Sequence, residues 1–528
     1  MAEKNKLKFS SFNIDDPLLS IFPQNTQILY LRCYLEDLST KTVIEEPEYF
    51  DRDYLAEFSA FYSVSSKGYT NRCRRVHFFS EKITRETLKR AAGGGKPSLK
   101  KLQESYLGFV VLRPIPAAPL GRTVLTWYPE RDINAPRVKN PSRNYFVHIA
   151  GIKLFVEGLA WQQQDTGVGA CATVSLWSML HSSAFDDHHA IPTTADITRD
   201  AHSKHSFGTR IFPSQGLNFW QICDAIKEQN LAPLITEGDV KDSSNIRGFS
   251  KERFASTCAS YIRSGYPILL IGNLIDEGSP GHAICIVGYR SCVPSPTNPQ
   301  YPSLAEFDIK YVYIHDDNLG PNVRFKIETL PITQETEENN SKEIIILTPS
   351  APIPKNGQRE TCPTEEYSSF IPTQLIVAAH SDIRTNPITL HKAGLKNATY
   401  MSQAINFLAN KAGRQLYGLT VSTRFIKLAN YFGLELEERL KGKSNSKILS
   451  KVRLALYENV DPMSLHIGVV RIGLDDSTPL VDILYDTTDS DRNHPIFCHV
   501  AYSNQVPVVI SLLESIGLGP FKECVEAF

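Results

Sequence analysis

The sequence predicts an α+β fold for a chain of 528 residues. Short runs rich in β-branched and aromatic residues indicate strands, and stretches with apolar residues every three or four positions indicate amphipathic helices. Both patterns occur in the N-terminal, central and C-terminal parts of the chain, without a repeat of fixed period. Because 42% of the residues are hydrophobic, the chain can bury a sizeable core, and its length is typical of roughly two to four domains.

Four regions are expected along the chain. Residues 1–145 are expected to form an N-terminal α+β accessory domain, and residues 146–330 a central domain. Residues 331–360 contain a polar, proline-bearing segment that is typical of a linker or insertion. Residues 361–528 are expected to form a C-terminal α+β domain.

The N-terminal region combines three strand-like runs with one polar helix. The strand-like runs are TQILYLRCYL (26–35), YLGFVVLRPI (106–115) and RTVLTWYP (122–129). The helical stretch EKITRETLKRAA (81–92) is followed by three glycines, which favour the end of a helix.

The central region is expected to contain strands, two helices and then further strands. One helix begins near Cys171, and a second covers 214–230, where apolar side chains recur every three residues. The residues at this spacing are Leu217, Trp220, Cys223 and Ile226. Cys223 is therefore expected in the core. The later strands are PILLIGNL (267–274), HAICIVGYR (282–290) and KYVYIHD (310–316).

The C-terminal region is predicted to contain three helices and two strands. The helices are YMSQAINFLANKAG (400–413), RFIKLANYFGLELEERL (424–440) and VVISLLESIG (508–517). The strands are HIGVVRI (466–472) and VDILYD (481–486).

Charge and composition exclude several classes of protein. Lys and Arg number 56 against 57 Asp and Glu, so the chain has no overall field that attracts nucleic acid or membrane. No apolar run is long enough to span a bilayer, and the first residues lack the apolar core of a signal peptide, so we expect a cytoplasmic protein. Ten cysteines without a CxxC pair indicate reduced thiols. Residues 71–104 carry ten Lys and Arg against three Glu, and a solvated face is the favoured interpretation over a phosphate or acidic partner.

Cys171 lies where a glycine-punctuated loop meets an apolar helical pattern, in GVGACATVSLWSMLH (167–181). A small buried cysteine is the ordinary alternative for such a position. However, the free N–H groups and the dipole of a helix N-terminus favour a thiolate, which makes Cys171 a candidate nucleophile.

A histidine and an aspartate are predicted to meet near one end of a hairpin. His282 opens the strand HAICIVGYR, and Asp316 closes the strand YVYIHD. If these strands pair antiparallel, the two side chains lie side by side, and the carboxylate orients the imidazole to accept a proton from the thiol. Asp317 would point to the opposite face if the strand continued, so it is held in reserve as the orienting residue.

These residues resemble the papain-like cysteine peptidases, and within that superfamily the bacterial C39-like branch. The resemblance covers about 160 residues, from Gln162 to Gly320, and is most specific in the strand HAICIVGY. It implies a helix carrying the cysteine, packed on an antiparallel sheet that carries the histidine and the aspartate. The flanking regions would be accessory domains. Ala172 departs from the pattern, because C39 peptidases usually have glycine after the cysteine.

The resemblance also implies an oxyanion hole made by the cysteine N–H and a glutamine about six residues earlier. Asp165 occupies the sixth position, and its carboxylate would repel an oxyanion. Gln164 is one residue further back, beside Gln162 and Gln163. Because the intervening loop contains two glycines and can accommodate one extra residue, Gln164 is the predicted donor to the oxyanion.

The leading hypothesis is a cysteine peptidase that cleaves a peptide or isopeptide bond in a protein or peptide substrate, without metal or organic cofactor. The same residues serve acyl transfer or amide hydrolysis, and the departures at Ala172 and Asp165 leave open an inactive scaffold that binds a partner. A stress or defence role in bacteria is the suggested context. The sequence indicates neither the substrate nor the oligomeric state.

Two histidine-containing segments offer residue types that bind metals. The first contains Asp186, Asp187, His188 and His189, and the second contains His202 and His205. Neither has the HExxH spacing, so a solvated loop is favoured over a metal site.

Overall fold

The computed structural model describes sixteen stretches of the chain. These are residues 6–13, 25–132, 135–185, 190–204, 210–241, 247–275, 281–291, 301–305, 309–332, 342–350, 367–413, 418–440, 446–474, 478–488, 496–518 and 523–528.

The helices occur in all parts of the described chain. They are α1 (Thr26–Asp37), α2 (Arg52–Ala60), α3 (Arg85–Ala92), α4 (Lys96–Ser105), α5 (Cys171–Leu180), α6 (Thr194–Ala201), α7 (Phe219–Glu228), α8 (Lys251–Arg263), α9 (Pro387–Lys411), α10 (Leu428–Asn430), α11 (Leu436–Leu440), α12 (Ser446–Glu458) and α13 (Gln505–Ser515). Short 3₁₀ turns cover Tyr62–Val64 and Ser183–Phe185, and a π-helical stretch, Tyr431–Glu435, joins α10 to α11.

The strands of the first half are β1 (Lys8–Ser11), β2 (Thr42–Tyr49), β3 (Cys73–Phe79), β4 (Tyr106–Leu112), β5 (Leu120–Leu125), β6 (Arg137–Val138), β7 (Arg143–Ile149), β8 (Ile152–Gly158), β9 (Leu231–Glu237), β10 (Val240–Lys241) and β11 (Arg247–Gly248). Those of the second half are β12 (Ile268–Leu274), β13 (His282–Ser291), β14 (Ser303–Leu304), β15 (Ile309–Asp316), β16 (Gly320–Ile332), β17 (Lys342–Pro349), β18 (Phe370–His380), β19 (Thr420–Lys427), β20 (His466–Gly473), β21 (Pro479–Asp486), β22 (Ile496–Ala501) and β23 (Cys524–Glu526). Helices together with largely antiparallel sheets confirm the predicted α+β class.

The chain forms two compact units. The first contains residues 1–249, 265–290 and 310–378, and the second contains 250–264, 291–309 and 379–528. The N-terminal and central regions thus share one unit, and the predicted limit at 145 does not separate compact units. The segment that carries α8 belongs to the second unit, although the sequence analysis placed it in the central domain.

The first unit contains two large sheets. Strands β1 to β5 form an antiparallel sheet in chain order. In the other sheet, β12 pairs with both β13 and β18, which closes a ring in the order β12, β13, β15, β16, β17 and β18. Because β18 belongs to this ring, residues 370–378 lie with the first unit and not with the C-terminal region.

The second unit is built on a six-stranded sheet in the order β14, β19, β20, β21, β22 and β23. The pairs at the two edges are parallel, and the pairs between them are antiparallel. Part of its core lies between this sheet and the π-helical stretch with α11 and α12, and includes Tyr431, Leu436, Val452 and Ile467.

Two local predictions were wrong. The run TQILYLRCYL (26–35) forms most of the helix α1 and not a strand. The side chain of Asn25 accepts a hydrogen bond from the N–H of Ile28, which caps the helix, and the buried face repeats at helical spacing. Residues 424–427 end strand β19 and do not begin a helix. Trp220 is 60% exposed, whereas Cys223 is buried as expected.

The basic stretch 71–104 is largely neutralised by its own neighbours. Arg72, Arg74 and Arg75 form ion pairs with Glu48, Glu45 and Glu46 of the adjacent strand β2. Lys100, Lys101 and Arg90 also contact glutamates. These pairs account for six of the ten cations, which agrees with a solvated face.

None of the described helices combines the length and apolar character needed to cross a membrane. The cysteines within the described ranges form no disulfide bond. Much of the predicted linker, 331–360, falls outside the described residues.

Candidate active site

Cys171 is the first residue of α5 and is partly exposed, whereas every later residue of this helix is buried. The preceding residue, Ala170, provides no side-chain cap, and the first turn contains no acidic residue. The amide groups at this helix end are therefore not neutralised by a side chain. Such an end favours negative charge on a group placed there.

A buried hydrogen bond connects this helix to the strand of the predicted histidine. The Ser175 hydroxyl donates to the carbonyl oxygen of Ala283 at 2.9 Å. Ser175 lies about one turn after Cys171, and Ala283 follows His282. This bond thus fixes the position of α5 relative to β13 at a point close to both Cys171 and His282.

The structure brings Cys171, His282 and Asp316 together. His282 is the first residue of β13 and is buried. Its Nε2 atom lies 3.4 Å from Oδ1 of Asp316, and an interaction with the side chain of Cys171 raises the pKa of the ring. One imidazole therefore connects the thiol to a carboxylate.

Asp317 also approaches this imidazole, with its Oδ1 3.6 Å from Nε2 of His282. Strand alternation predicts the opposite face for Asp317 if the strand continues. Strand β15 ends at Asp316, so alternation no longer applies to the next residue, and both carboxylates face the same ring. The Asp317 carboxylate is buried and accepts no hydrogen bond from another described residue.

The two carboxylates decide the charge of the histidine. Burial by itself lowers the pKa of His282, but the charge of Asp317 and interactions with Asp316 and Cys171 raise it well above its usual range. This environment therefore favours the protonated imidazole. Burial raises the pKa of Asp317 to about 7, while the charge of His282 opposes this change.

Asp316 is held by groups from three segments. The Trp161 indole N–H donates to its backbone oxygen at 2.9 Å, and the Asn318 N–H donates to Oδ1 at 2.9 Å. The strand partner of Asp316 is Gly320, where a Cβ atom would lie 2.3 Å from Cδ1 of Tyr30. Only glycine permits this approach of α1 to the turn that carries both carboxylates.

The three glutamines before Cys171 have different environments. Gln162 donates to Glu57, and Gln163 accepts a hydrogen bond from the N–H of Leu120, so both are committed to buried structure. Gln164 lines the same cleft as Cys171, and its Nε2 donates to Oδ1 of Asn318 at 2.6 Å. Since that amide carries two hydrogens, a second donor is available there.

Asp165 anchors the loop that leads to Cys171. Its Oδ1 accepts hydrogen bonds at 2.7 Å from the N–H groups of Gly167 and Val168 and from the Tyr62 hydroxyl. Its Oδ2 lies 3.2 Å from Nη1 of Arg113. The buried guanidinium of Arg113 thus balances the charge of Asp165, the residue that stands where the papain-like pattern has a glutamine.

Sequence reasoning missed the N-terminal residues that support this loop. Arg113 also pairs with Glu57 at 3.0 Å, and Glu57 accepts hydrogen bonds from Gln162 and Thr194. Burial raises the pKa of Glu57, although the adjacent Arg113 opposes this. No local pattern indicates these partners, because at least 31 residues separate any two of Glu57, Arg113, Gln162 and Thr194.

An open cleft of about 1010 Å³ contains Cys171 and Gln164. Its other walls include the loop 213–218, the start of α7 and His202. The His202 Nδ1 atom lies 2.7 Å from the carbonyl oxygen of Thr198.

One group of potential metal ligands occurs among the described residues. Donor atoms of His282, Asp316 and Asp317 lie within 4.8 Å of one another, and imidazole and carboxylate groups are ordinary ligands of divalent ions. The aspartate and histidine loop of the sequence analysis (Asp186, Asp187, His188, His189) and His205 fall outside the described residues.

Comparisons with protein-family models and with curated proteins gave no match. We therefore infer function from the geometry of these side chains.

Proposed function

We propose that the protein is a cysteine peptidase that cleaves a peptide or isopeptide bond, with Cys171 as nucleophile, His282 as acid and base, and Asp316 as orienting residue. The observation that carries the proposal is that one buried imidazole contacts both the Cys171 side chain and the Asp316 carboxylate. This is the arrangement that thiol-based acyl transfer requires. The contact between α5 and β13 supports a papain-like core for the residues around it.

The proposed reaction has two steps. The Cys171 thiolate attacks the substrate carbonyl carbon, and protonated His282 donates its proton to the leaving amine as the C–N bond breaks. A thioester with Cys171 results. His282 then accepts a proton from water, whose oxygen attacks the thioester, releases the carboxylic acid and restores the Cys171 thiolate beside protonated His282.

Two N–H donors are available for the oxyanion in each step. We assign them to the backbone of Cys171 and the side chain of Gln164, which lines the same cleft. Because Arg113 balances the Asp165 carboxylate, that group does not oppose the assignment.

The proposal is tested by alkylation of the folded protein with iodoacetamide at pH 6.5, with mass spectrometry to identify the modified cysteine. Cys171 should react first. Cys524 is a suitable internal control, because it is only partly buried and burial raises its pKa to about 11. Equal or slower reaction of Cys171 would contradict the proposed nucleophile.

A second experiment addresses the substrate. We propose that the protein acts in the cytoplasm on a protein or peptide. New protein termini should appear in cells that express the intact protein and be absent with Cys171→Ala. Identical termini with both forms would contradict peptidase activity.

A further inference from the structure

We propose that the cleft beside Cys171 selects acidic peptides, and that Arg210 is the side chain that recognises their carboxylate. The inference depends on the proposed function, since it names the substrate class of the same site. It stands on three features of the described part of the cleft: its exposed cation, its ion-paired carboxylate and its size.

Arg210 provides the exposed cation. It lines the cleft together with Cys171, is exposed, and forms no ion pair with any residue within the described ranges. A guanidinium offers five N–H donors in a planar group that matches a carboxylate, so an unpaired arginine beside a nucleophile is suited to bind an acidic side chain.

Among the described residues that line the cleft, no free carboxylate opposes this charge. Asp165 is the acidic residue among those that line it, and its oxygens are occupied by Arg113, Tyr62 and two backbone amides. The helices α5 and α7 also begin at this cleft, and their N-terminal ends add positive electrostatic potential to that of Arg210. Within the described part of the cleft, fixed charges and dipoles therefore favour an anion.

The dimensions fit a peptide. The volume of about 1010 Å³ is at the upper end of ordinary ligand pockets, and the cleft is open to solvent. Amide side chains such as Gln215 and Asn218 border it and are exposed, so they can hydrogen bond to a peptide backbone. An extended segment with an Asp or Glu side chain near the scissile bond matches these features.

The test compares two alkylating agents of nearly equal size. Iodoacetate is anionic and iodoacetamide is neutral, and in both reactions the Cys171 thiolate displaces iodide and forms a thioether. Arg210→Gln should lower the ratio of the iodoacetate rate to the iodoacetamide rate about 3- to 10-fold at low salt. Arg210→Lys should keep most of the ratio. Added salt should reduce the difference in ratio between the unmodified protein and Arg210→Gln.

Lys67→Gln is the matched control, because it removes one exposed cation of the same unit that lies outside this cleft. An equal drop in ratio for Lys67→Gln, or no drop for Arg210→Gln, would overturn the inference.

A pair of peptidyl chloromethyl ketones that differ only in Glu against Gln completes the test. Faster labelling by the Glu peptide, lost in Arg210→Gln, is expected, and equal labelling would overturn the inference. Failure of Cys171 to react with iodoacetamide would instead refute the proposed nucleophile.

Discussion

The hydroxyl of Ser175 donates a 2.9 Å hydrogen bond to the carbonyl oxygen of Ala283. This bond joins the helix that begins at Cys171 to the strand that begins at His282. Both groups are buried, so water does not compete for the bond. The relative position of thiol and imidazole therefore depends on a residue that itself contacts neither reacting group in the proposed reaction.

Ser175→Ala should lower both stability and the reactivity of Cys171. The variant leaves the Ala283 carbonyl without this donor, which is expected to cost about 1–3 kcal/mol of unfolding free energy. Because α5 then loses a connection to β13, alkylation of Cys171 at pH 6.5 should slow severalfold. Ser178→Ala is the matched control, since Ser178 is buried in the same helix and has no described hydrogen bond to β13. Equal effects of the two variants would rule out a positioning role.

Asp317→Asn should flatten the dependence of stability on pH. Burial raises the pKa of Asp317 to about 7, against about 3.9 in an unfolded chain. Between these values the folded state binds more protons, so the contribution of Asp317 to stability falls as pH rises through this window. The effect is at most about 1.4 kcal/mol per pH unit. Chemical unfolding from pH 4.5 to 7.5 measures it.

The control for this measurement is Asp461→Asn, which changes an exposed carboxylate of the second unit. Its pH profile should run parallel to that of the unmodified protein. A parallel profile for Asp317→Asn as well would show that its carboxylate does not titrate in this window.

Arg113→Met should be strongly destabilising. The substitution leaves the buried carboxylates of Glu57 and Asp165 without their cation, and breaking a buried ion pair in this way costs about 3–5 kcal/mol. Arg72→Met removes a more exposed pair with Glu48 and should cost less than about 1 kcal/mol. Thermal unfolding of the two variants compares these costs, and similar losses would contradict the structural role of Arg113.

Gln164→Ala separates oxyanion binding from nucleophilicity. Loss of one oxyanion donor is expected to reduce kcat by roughly 10²–10³-fold on a peptide found in the termini experiment. Alkylation by iodoacetamide forms no oxyanion, so its rate at Cys171 should stay within about twofold of the unmodified protein. Gln403→Ala, a control at an exposed glutamine outside this cleft, should change kcat far less. A normal kcat for Gln164→Ala would exclude this side chain as the donor.

Several elements around the candidate site could be predicted from local sequence. Strand β13 begins at His282, strand β15 ends at Asp316, and helix α5 begins at Cys171, as the pattern of apolar residues indicated. The strand prediction for α1 was wrong, because its Thr, Ile and Tyr residues are strand-forming by type, whereas helical spacing and the Asn25 cap determine the structure.

The sequence by itself determined the α+β class, the order of thiol, imidazole and carboxylate, and the ends of the elements that carry them, because those signals lie within a few adjacent residues. Only the tertiary structure decided that Gln164 and not Gln162 lines the cleft, and that Arg113 neutralises Asp165. It also decided that Asp316 and Asp317 face one ring. These outcomes depend on which distant side chains are buried together. Burial raises the free energy of a charged group, and only the folded chain brings the partner that offsets this cost into contact.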